Sequence, residues 1–446
     1  MADRARTPNT GLRSLLDQAN WSERQLAQQV NRLGTEIGLK LTYQQPAVAH
    51  WLNGAQPREQ VRPLILAAFE RKLGRPVTHA EAGLTSPATA ESDDTVEELI
   101  DLTRADMDPT RRKVVTAGIF SAALVVPLFE SLAAHADEPV YPGKKTVRIG
   151  EAQVRAVRTM TDRIADILDE LGAGHARPMA AAFLTNTVGP WLKAEASQQV
   201  RKDMLAAASD LVYLTGWMAM YERAHGLGQT YYVKALRLAA DAEDHVTYCR
   251  TLRGMSLQAS NLRHGQLALN LADSAAEAAP SAGPRLVAFL RGQQAHAEAM
   301  VGNKTAAFSR LRETEEALSK ADNRRDAIGG YDKTAYLFHV SHVLNETGDL
   351  PGSIKALQNS LRIQAPNERQ GRVHAYAVLA QRQYEHGHLD AACSSWGRFL
   401  DEYEHISSAR GDEHFDTMRK RLRTHSTVRS VRELAGRAHE VATLKN

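Results

Sequence analysis

Apolar residues along the first 87 positions fall into four helical stripes. Leu12, Leu15, Leu16 and Ala19 share one face and predict a helix from about Gly11 to Asn20. Trp21 closes it. Ser22, with Gln25 three residues on, has the spacing of a capping box and opens a second helix. Leu26, Ala27, Val30 and Leu33 form its buried face, and Gly34 is its expected end. After a loop comes a short helix through Val48, Trp51 and Leu52. Pro46 fits only in a first turn, so this helix should begin near Gln44 or Gln45, and Gly54 and Pro57 stop it. A fourth helix, Val61 to Leu73, buries Val61, Leu64, Ile65, Ala68 and Phe69, with Gly74 after its end. Thr78 and Glu81 repeat the capping pattern before Leu84.

Residues 11–84 resemble the phage-repressor (Xre-like) type of helix-turn-helix domain. The resemblance is carried by the small Ala27 within the second helix, by Val48 and Trp51 within the third, and by the terminal Asn53-Gly54. It implies that the third helix lies in the DNA major groove, with Gln44, Gln45, Ala47 and His50 toward base edges. Arg24, Gln25 and Arg58 would then contact phosphate. Two departures from the pattern are a longer loop between the second and third helices, and Pro46 where a base-contacting side chain often stands.

Residues 88–150 read as a linker with an apolar docking helix. An acidic amphipathic turn spans Val96 to Leu102, and Arg111-Arg112 precede an uncharged run of 16 residues, Val114 to Phe129, interrupted by Pro127. A helix that crosses a bilayer needs about 20 residues. The run is therefore read as a buried helix docking the head on the C-terminal part of the chain, with a membrane anchor as the alternative. Pro139, Pro142 and Gly143 mark a further loop.

From residue 151 to 446 the pattern is one of consecutive amphipathic helices, repeating from residue 197. Gly226, Gly265, Gly302, Gly348 and Gly387 mark the turns, spaced by 39, 37, 46 and 39 residues. Second helices begin at Gln229, Gln266, Thr305, Leu350 and Leu389, carrying small residues such as Ala235, Ala268, Ala307 and Ala392 that permit close packing; Pro280 and Pro366 end two units. The pattern resembles tetratricopeptide repeats, whose basic period is about 34 residues. Leu214, Gly216 and Tyr221 approach the consensus, and HEAT-like pairs remain open. Stacked pairs create a concave face. Candidate inner-face residues on the first helices are Tyr213, Trp217, Tyr221, Arg253, Gln258, Asn261, Gln293, His296, Tyr336, His339, Asn345, Tyr376 and Gln383. A more polar last helix, Ser426 to Leu444, is expected to cap the array. The expected fold class is all-α: a helix-turn-helix head, residues 1–87, and an α-solenoid.

Charge adds one distinction. Residues 1–87 carry eleven basic and seven acidic side chains, whereas residues 88–109 carry eight acids and one Arg. A basic head ahead of an acidic stretch suits a domain that meets phosphate. Two cysteines, Cys249 and Cys393, are too few for a disulfide framework, and residues 1–20 lack a signal-like apolar run. A reducing cytoplasm is expected.

No phosphate loop or nucleophile elbow is present in the sequence. His339 and His342 share a helix face, and His386 and His388 flank a glycine, but neither pair has a third ligand near in sequence, and Cys393 does not supply one. Glu313, Glu315 and Glu316 belong to a solvated face. Neither an enzyme, a metal nor a cofactor is expected.

The combined plan resembles actinobacterial helix-turn-helix regulators with tetratricopeptide tails and, more loosely, peptide-pheromone regulators of Gram-positive bacteria. That resemblance implies a homodimeric transcriptional regulator, a repressor by preference. Its partners would be a double-stranded DNA operator and a peptide, protein or small-molecule ligand in the array. The alternatives are an interaction scaffold without specific DNA binding, and a membrane-tethered regulator.

Overall fold

The computed structural model describes residues 8–36, 41–58, 61–73, 77, 81–84, 95–107, 120–122, 124, 126, 129, 148–278, 283–321 and 331–445. The expected features at Gly74, Thr78, Arg111–Lys113, Pro127, Pro139, Pro142, Gly143 and Pro280 lie outside these residues. The described chain is all-helical, and its one β-type contact is an isolated bridge between Arg148 and Glu195.

The head comprises α1 (Thr10–Ala19), α2 (Glu23–Glu36), α3 (Gln45–Leu52) and α4 (Arg62–Leu73). They share one core of Leu12, Leu15, Leu26, Val30, Val48, Trp51, Leu64, Ile65 and Phe69. The capping box forms: Ser22 N–H donates to Gln25 Oε1 at 2.7 Å and Gln25 N–H to Ser22 Oγ at 3.3 Å. Contrary to expectation, α2 runs through Gly34 to Glu36; the buried Leu33 and Gly34 are still on its packed face, so the helix gains by continuing. Asn9 ties the two ends of the head together. Its Oδ1 caps α1 through Leu12 N–H at 2.9 Å, and its Nδ2 donates to Ala82 and Gly83 carbonyls at 3.0 Å.

The stretch read as a linker contains a docked helix, α5 (Thr95–Met107). It packs on α7 (Ala173–Phe183), on the π-helical turn Leu184–Val188 after it, on α8 (Gly189–Leu192) and on α10 (His225–Asp241). Val96, Leu99 and Ile100 join the core of the array. Asp106, 1% exposed, forms an ion pair with Arg177 and accepts from Tyr231 OH at 3.0 Å. Thr185 donates to Thr103 at 2.7 Å, and Glu98 holds Lys234 and Arg237. The described part of the apolar run is not a continuous helix: Phe120–Ala122, Leu124 and Val126 are non-helical. Ser121 exchanges two 2.8 Å hydrogen bonds with the Gln229 amide, while Phe120 and Phe129 stack on His264 and His245. Partnering by Gln229 satisfies backbone groups that a helix would have satisfied internally. Among the described residues no helix is long and apolar enough to cross a membrane.

The array starts with α6 (Glu151–Leu171) and α7, then runs in pairs: α9 (Gln198–Tyr221) with α10, α11 (His245–Asn261) with α12 (Gly265–Glu277), and α13 (Pro284–Met300) with α14 (Lys304–Ser319). The pairs α15 (Lys333–Glu346) with α16 (Leu350–Ile363) and α17 (Arg369–Glu385) with α18 (Leu389–Tyr403) continue it. Each pair is joined by one kind of turn. The residue at its centre has left-handed φ, and the helix closes with paired 5→2 and 6→1 hydrogen bonds, as in Gly302 N–H to Ala299 O and Asn303 N–H to Glu298 O. Gly302, Gly348 and Gly387 hold that position at φ 87°, 93° and 86°, but in the first two pairs it falls to Arg223 and Arg263 at 59° and 64°. The expected turn glycines Gly226 and Gly265 instead sit in the first turns of α10 and α12. Within the first pair, α9 and α10 approach so closely that a Cβ on Gly216 would lie 2.9 Å from Tyr232 and 3.1 Å from Gly228 O.

The array ends in α19 (Ala409–Leu422) and α20 (Arg429–Lys445), the latter burying Val431, Leu434, Ala438 and Val441. The far end returns to the near end. Ser407 N–H donates to Leu171 O at 2.8 Å, and Gly174 N–H donates to Ser407 O at 2.9 Å. Arg223 pairs with Glu413 at 2.5 Å, and Ala409 N–H donates to Glu222 at 3.1 Å.

These contacts lead to two stability predictions. Asp106→Ala leaves the buried Arg177 unpaired and should destabilise the array by about 3–5 kcal/mol in urea unfolding; adding Arg177→Met should recover much of that loss. Space is open around Gly302, so Gly302→Ala introduces backbone strain alone and should cost about 1 kcal/mol by the same assay.

Candidate functional site

The structure brings two groups of candidate residues to separate surfaces. On the head, α3 is anchored before its first turn. Asn31 Nδ2 donates to Tyr43 O at 2.7 Å and Tyr43 N–H donates to Asn31 Oδ1 at 2.8 Å. The Tyr43 ring packs edge-on to Trp51 at 5.2 Å. Pro46 lies in the first turn of α3, where its missing N–H costs nothing. With Val48, Trp51 and Leu52 buried, Gln44, Gln45 and His50 are exposed and Ala47 is half-buried. Arg24, Gln25 and Arg58 are exposed as well, although Gln25 Oε1 is engaged by Ser22.

The second surface is the inside of the array, formed where the first helices of successive pairs converge. Here Trp217, Tyr221, Arg253, Asn261 and His339 come together. The Arg253 guanidinium lies 5.7 Å from the centre of Trp217 and 4.2 Å from that of Phe289, and its Nη2 is 3.4 Å from His339 Nε2. Tyr331 OH is 2.8 Å from His339 Nδ1. Trp217 and Tyr221 pack edge to face at 5.7 Å. Gly292 makes room for this arrangement, since a Cβ there would stand 2.4 Å from His339.

Other expected members lie beside this surface or away from it. Tyr213 is buried against Tyr232 and beneath Arg250. Gln293 is fully buried, donating to Ser256 and Ser260 between α11 and α13. Tyr336 turns toward Lys333 and α14, where it hydrogen-bonds Glu315. Tyr376 packs with Arg372 in the outer core. These positions are set by packing between pairs, which periodicity within one helix does not reveal.

Further residues complete the interior, among them the expected His296. Arg410, from the first turn of α19, lies 5.6 Å from the Tyr221 ring, 3.0 Å from His374 Nε2 and 3.5 Å from Asn261 Oδ1. His374 Nδ1 is 3.0 Å from His414 Nε2. His296 and His342 are in ring contact at 4.6 Å, and Arg382 Nη2 approaches His342 Nδ1 at 3.4 Å. Arg410 could not be placed against Tyr221 and Asn261 from sequence, because the closure that brings it there joins positions some 200 residues apart.

The electrostatics are one-sided. Burial, reinforced by the neighbouring arginines, holds His339, His342 and His374 well below the ordinary imidazole range. Burial takes His296 to about 4 and His414 to about 3. These imidazoles are neutral near pH 7, whereas an arginine cannot escape its charge by losing a proton. Neither Arg253 nor Arg410 has a carboxylate within ion-pairing distance among the described residues. Of the nearby acids, Glu346 pairs with Arg263 at 2.5 Å and Glu413 with Arg223. Arg253 is 6% exposed and its Nε is without a partner, as is Nδ1 of the 5%-exposed His296. A desolvated cation–π contact contributes about 2 kcal/mol, less than the several kcal/mol that burying an unpaired charge costs.

Among the described residues no group of three His, Cys, Asp or Glu side chains is placed to hold a metal ion. A family model described as the SP15 N-terminal domain matches residues 12–85, so the head is similar to that domain over all four of its helices. Among curated proteins, none matches the chain.

The seam has its own titrating group. Burial, then Glu368, Asp166 and Glu170, raise Asp169 to about 7. An acid raised in this way keeps its proton in the folded chain while the unfolded chain loses it, so its contribution to stability falls as pH rises from about 4 to about 7. Asp169→Asn should therefore gain stability over the wild type progressively from about pH 4 to about pH 7 and hold that gain above it, read by urea unfolding at each pH. A constant difference between the two proteins would contradict this assignment.

Proposed function

We propose that the chain is a transcriptional regulator acting in the cytoplasm. In this reading the head is a phage-repressor-type helix-turn-helix that binds operator DNA as a homodimer, and the array is a tetratricopeptide-type solenoid that binds a signal. Repression is the preferred sense. The observation that carries the first half is the presentation of α3. Its apolar face is buried and its entry is clamped by Asn31, while Gln44, Gln45 and His50 stand exposed without a hydrogen-bonding side-chain partner among the described residues. A short helix held rigidly with its first turn free is what major-groove reading requires, and Gln matches an adenine edge in two places. Arg24 and Arg58 supply charge that positions without specifying sequence.

The second half rests on the interior of the array, where aromatic, imidazole and guanidinium groups converge without structural counter-charges among the described residues. For a ligand there to control DNA binding, it must favour one arrangement of the protein over another.

The test is selection of genomic DNA fragments by the purified full-length protein at about 0.15 M salt, where nonspecific phosphate binding is weakened. A shared, two-fold symmetric motif is expected. Gln45→Ala should then weaken binding to that motif by about 1–3 kcal/mol while leaving affinity for scrambled DNA unchanged. Equal loss on both DNAs would remove Gln45 from base reading, and recovery of no motif by folded protein would reject the DNA-binding reading.

A further inference from the structure

The interior holds fixed positive charge that the described residues do not neutralise. Arg253 and Arg410 approach it from α11 and α19, and the intervening groups are His339, His374, Asn261 and the faces of Trp217 and Tyr221. Arg253 is fully enclosed, with Nε unpartnered, while Trp217, Tyr221, Arg410 and His374 keep partial access to solvent. Thus the Arg410 side chain keeps access to solvent beside the Tyr221 ring, whereas Arg253 is enclosed beneath the faces of Trp217 and Phe289.

Two acids near the interior are held by other arginines. Glu346 makes two hydrogen bonds to Arg263, at 2.5 and 3.1 Å, and Glu413 pairs with Arg223. The histidines, neutral for want of solvation, can accept or donate hydrogen bonds without adding charge. Guanidinium forks match the two oxygens of a carboxylate or phosphate, and part-exposed aromatic faces match a planar apolar group.

We propose that this interior is the binding site of a small organic anion: a carboxylate or phosphate, held by Arg253 and Arg410, on a planar ring that packs against Trp217 and Tyr221. The commitment to a small molecule comes from the seam. The contacts of Ser407 with Leu171 and Gly174, and of Ala409 with Glu222, close the interior along one side and oppose the lengthwise entry of a polypeptide. The proposal rests on the array being the ligand-binding half of the molecule and does not depend on the head binding DNA.

The test is calorimetric titration and thermal melting of the full chain with phenyl phosphate and with isophthalate, with inorganic phosphate, phenol and a hexaglutamate peptide as comparisons. At least one aromatic anion should bind saturably at one site per chain and raise the melting temperature. Inorganic phosphate and phenol should bind more weakly by roughly tenfold or more, since each has half of the required chemistry. Arg253→Met and Arg410→Met should each weaken binding of the aromatic anion by roughly tenfold or more. Arg253→Met should also melt higher than the wild type when ligand-free, because it removes an unpaired buried charge; a purely structural arginine would give the reverse. If Arg253→Met fails to fold, Arg410→Met, whose side chain keeps partial access to solvent, carries the same binding test. Absence of saturable binding by both aromatic anions would overturn the proposal. So would unchanged binding in folded variants, a lower ligand-free melting temperature of Arg253→Met, or tighter binding by hexaglutamate. Motif-specific DNA binding measured in parallel separates failure of this site from failure of the regulator reading.

Discussion

The array depends on a backbone-to-backbone closure made possible by two glycines. A Cβ on Gly172 would lie 2.4 Å from Ser407 O, and one on Gly174 would lie 2.2 Å from Ser407 Oγ. Gly172 also has φ of 89°, which side-chain-bearing residues rarely adopt. With both positions bare, Ser407 exchanges hydrogen bonds with Leu171 and Gly174, and the end of the array is fixed against its beginning. The polar inner faces of the first helices then confront one another instead of bulk solvent. The neutral histidines and the unpaired arginines are consequences of that enclosure, as is the raised proton affinity of Asp169 next to the seam.

The turns within the pairs work in the same direction. Arg223 and Arg263 occupy left-handed positions that glycine fills in later pairs, at a cost of about 1 kcal/mol each. In exchange, each arginine reaches across the array, Arg223 to Glu413 and Arg263 to Glu346. The first of these ion pairs spans the closure. Together the two pairs occupy two carboxylates near the interior, where Arg253 and Arg410 have no carboxylate partner among the described residues. Glycine at those turns would relax the backbone and release both acids.

Much of the local structure was legible in the sequence. The four helices of the head, the capping box at Ser22 and Gln25, the proline at the start of α3 and the final capping helix are each encoded within a few residues, and local rules suffice to read them. The helix α5 was also signalled locally, by Val96, Leu99, Ile100 and Thr103 on one stripe. The eight acids between residues 88 and 109 outweighed that stripe and suggested a linker. What overrides the acids is tertiary: Glu98 meets Lys234 and Arg237, and Asp106 meets Arg177 and Tyr231, all distant in sequence. The same limit governed the interior. Trp217, Tyr221, Arg253 and His339 were identifiable as inward-facing on first helices, but Tyr336 and Tyr376 share that periodicity and are turned elsewhere by their neighbours. Arg410 meets Tyr221 and Asn261 only through closure.

The seam and the docked helix meet on one element. α7 begins at Gly172, whose neighbours bond Ser407, and its Arg177 binds Asp106 of α5. Arg410 is three residues beyond Ser407, at the start of α19, so its guanidinium, the seam and α7 are joined by short, directional contacts. On the other side, α5 is the last described helix before the chain leads back to the head. A change at Arg410 that displaces Ser407 must either move the start of α7 or break its two hydrogen bonds to residues 171 and 174. Coupling between sites requires an element that both can bias, beyond mere proximity. In the proposed regulator α7 would be that element: its N-terminal end bonds the seam, and its Arg177 pairs with Asp106 of the helix that precedes the array in the chain. Because Asp106 and Arg177 are buried from water, a shift in their geometry would change their energy more than it would for an exposed pair, which solvent screens.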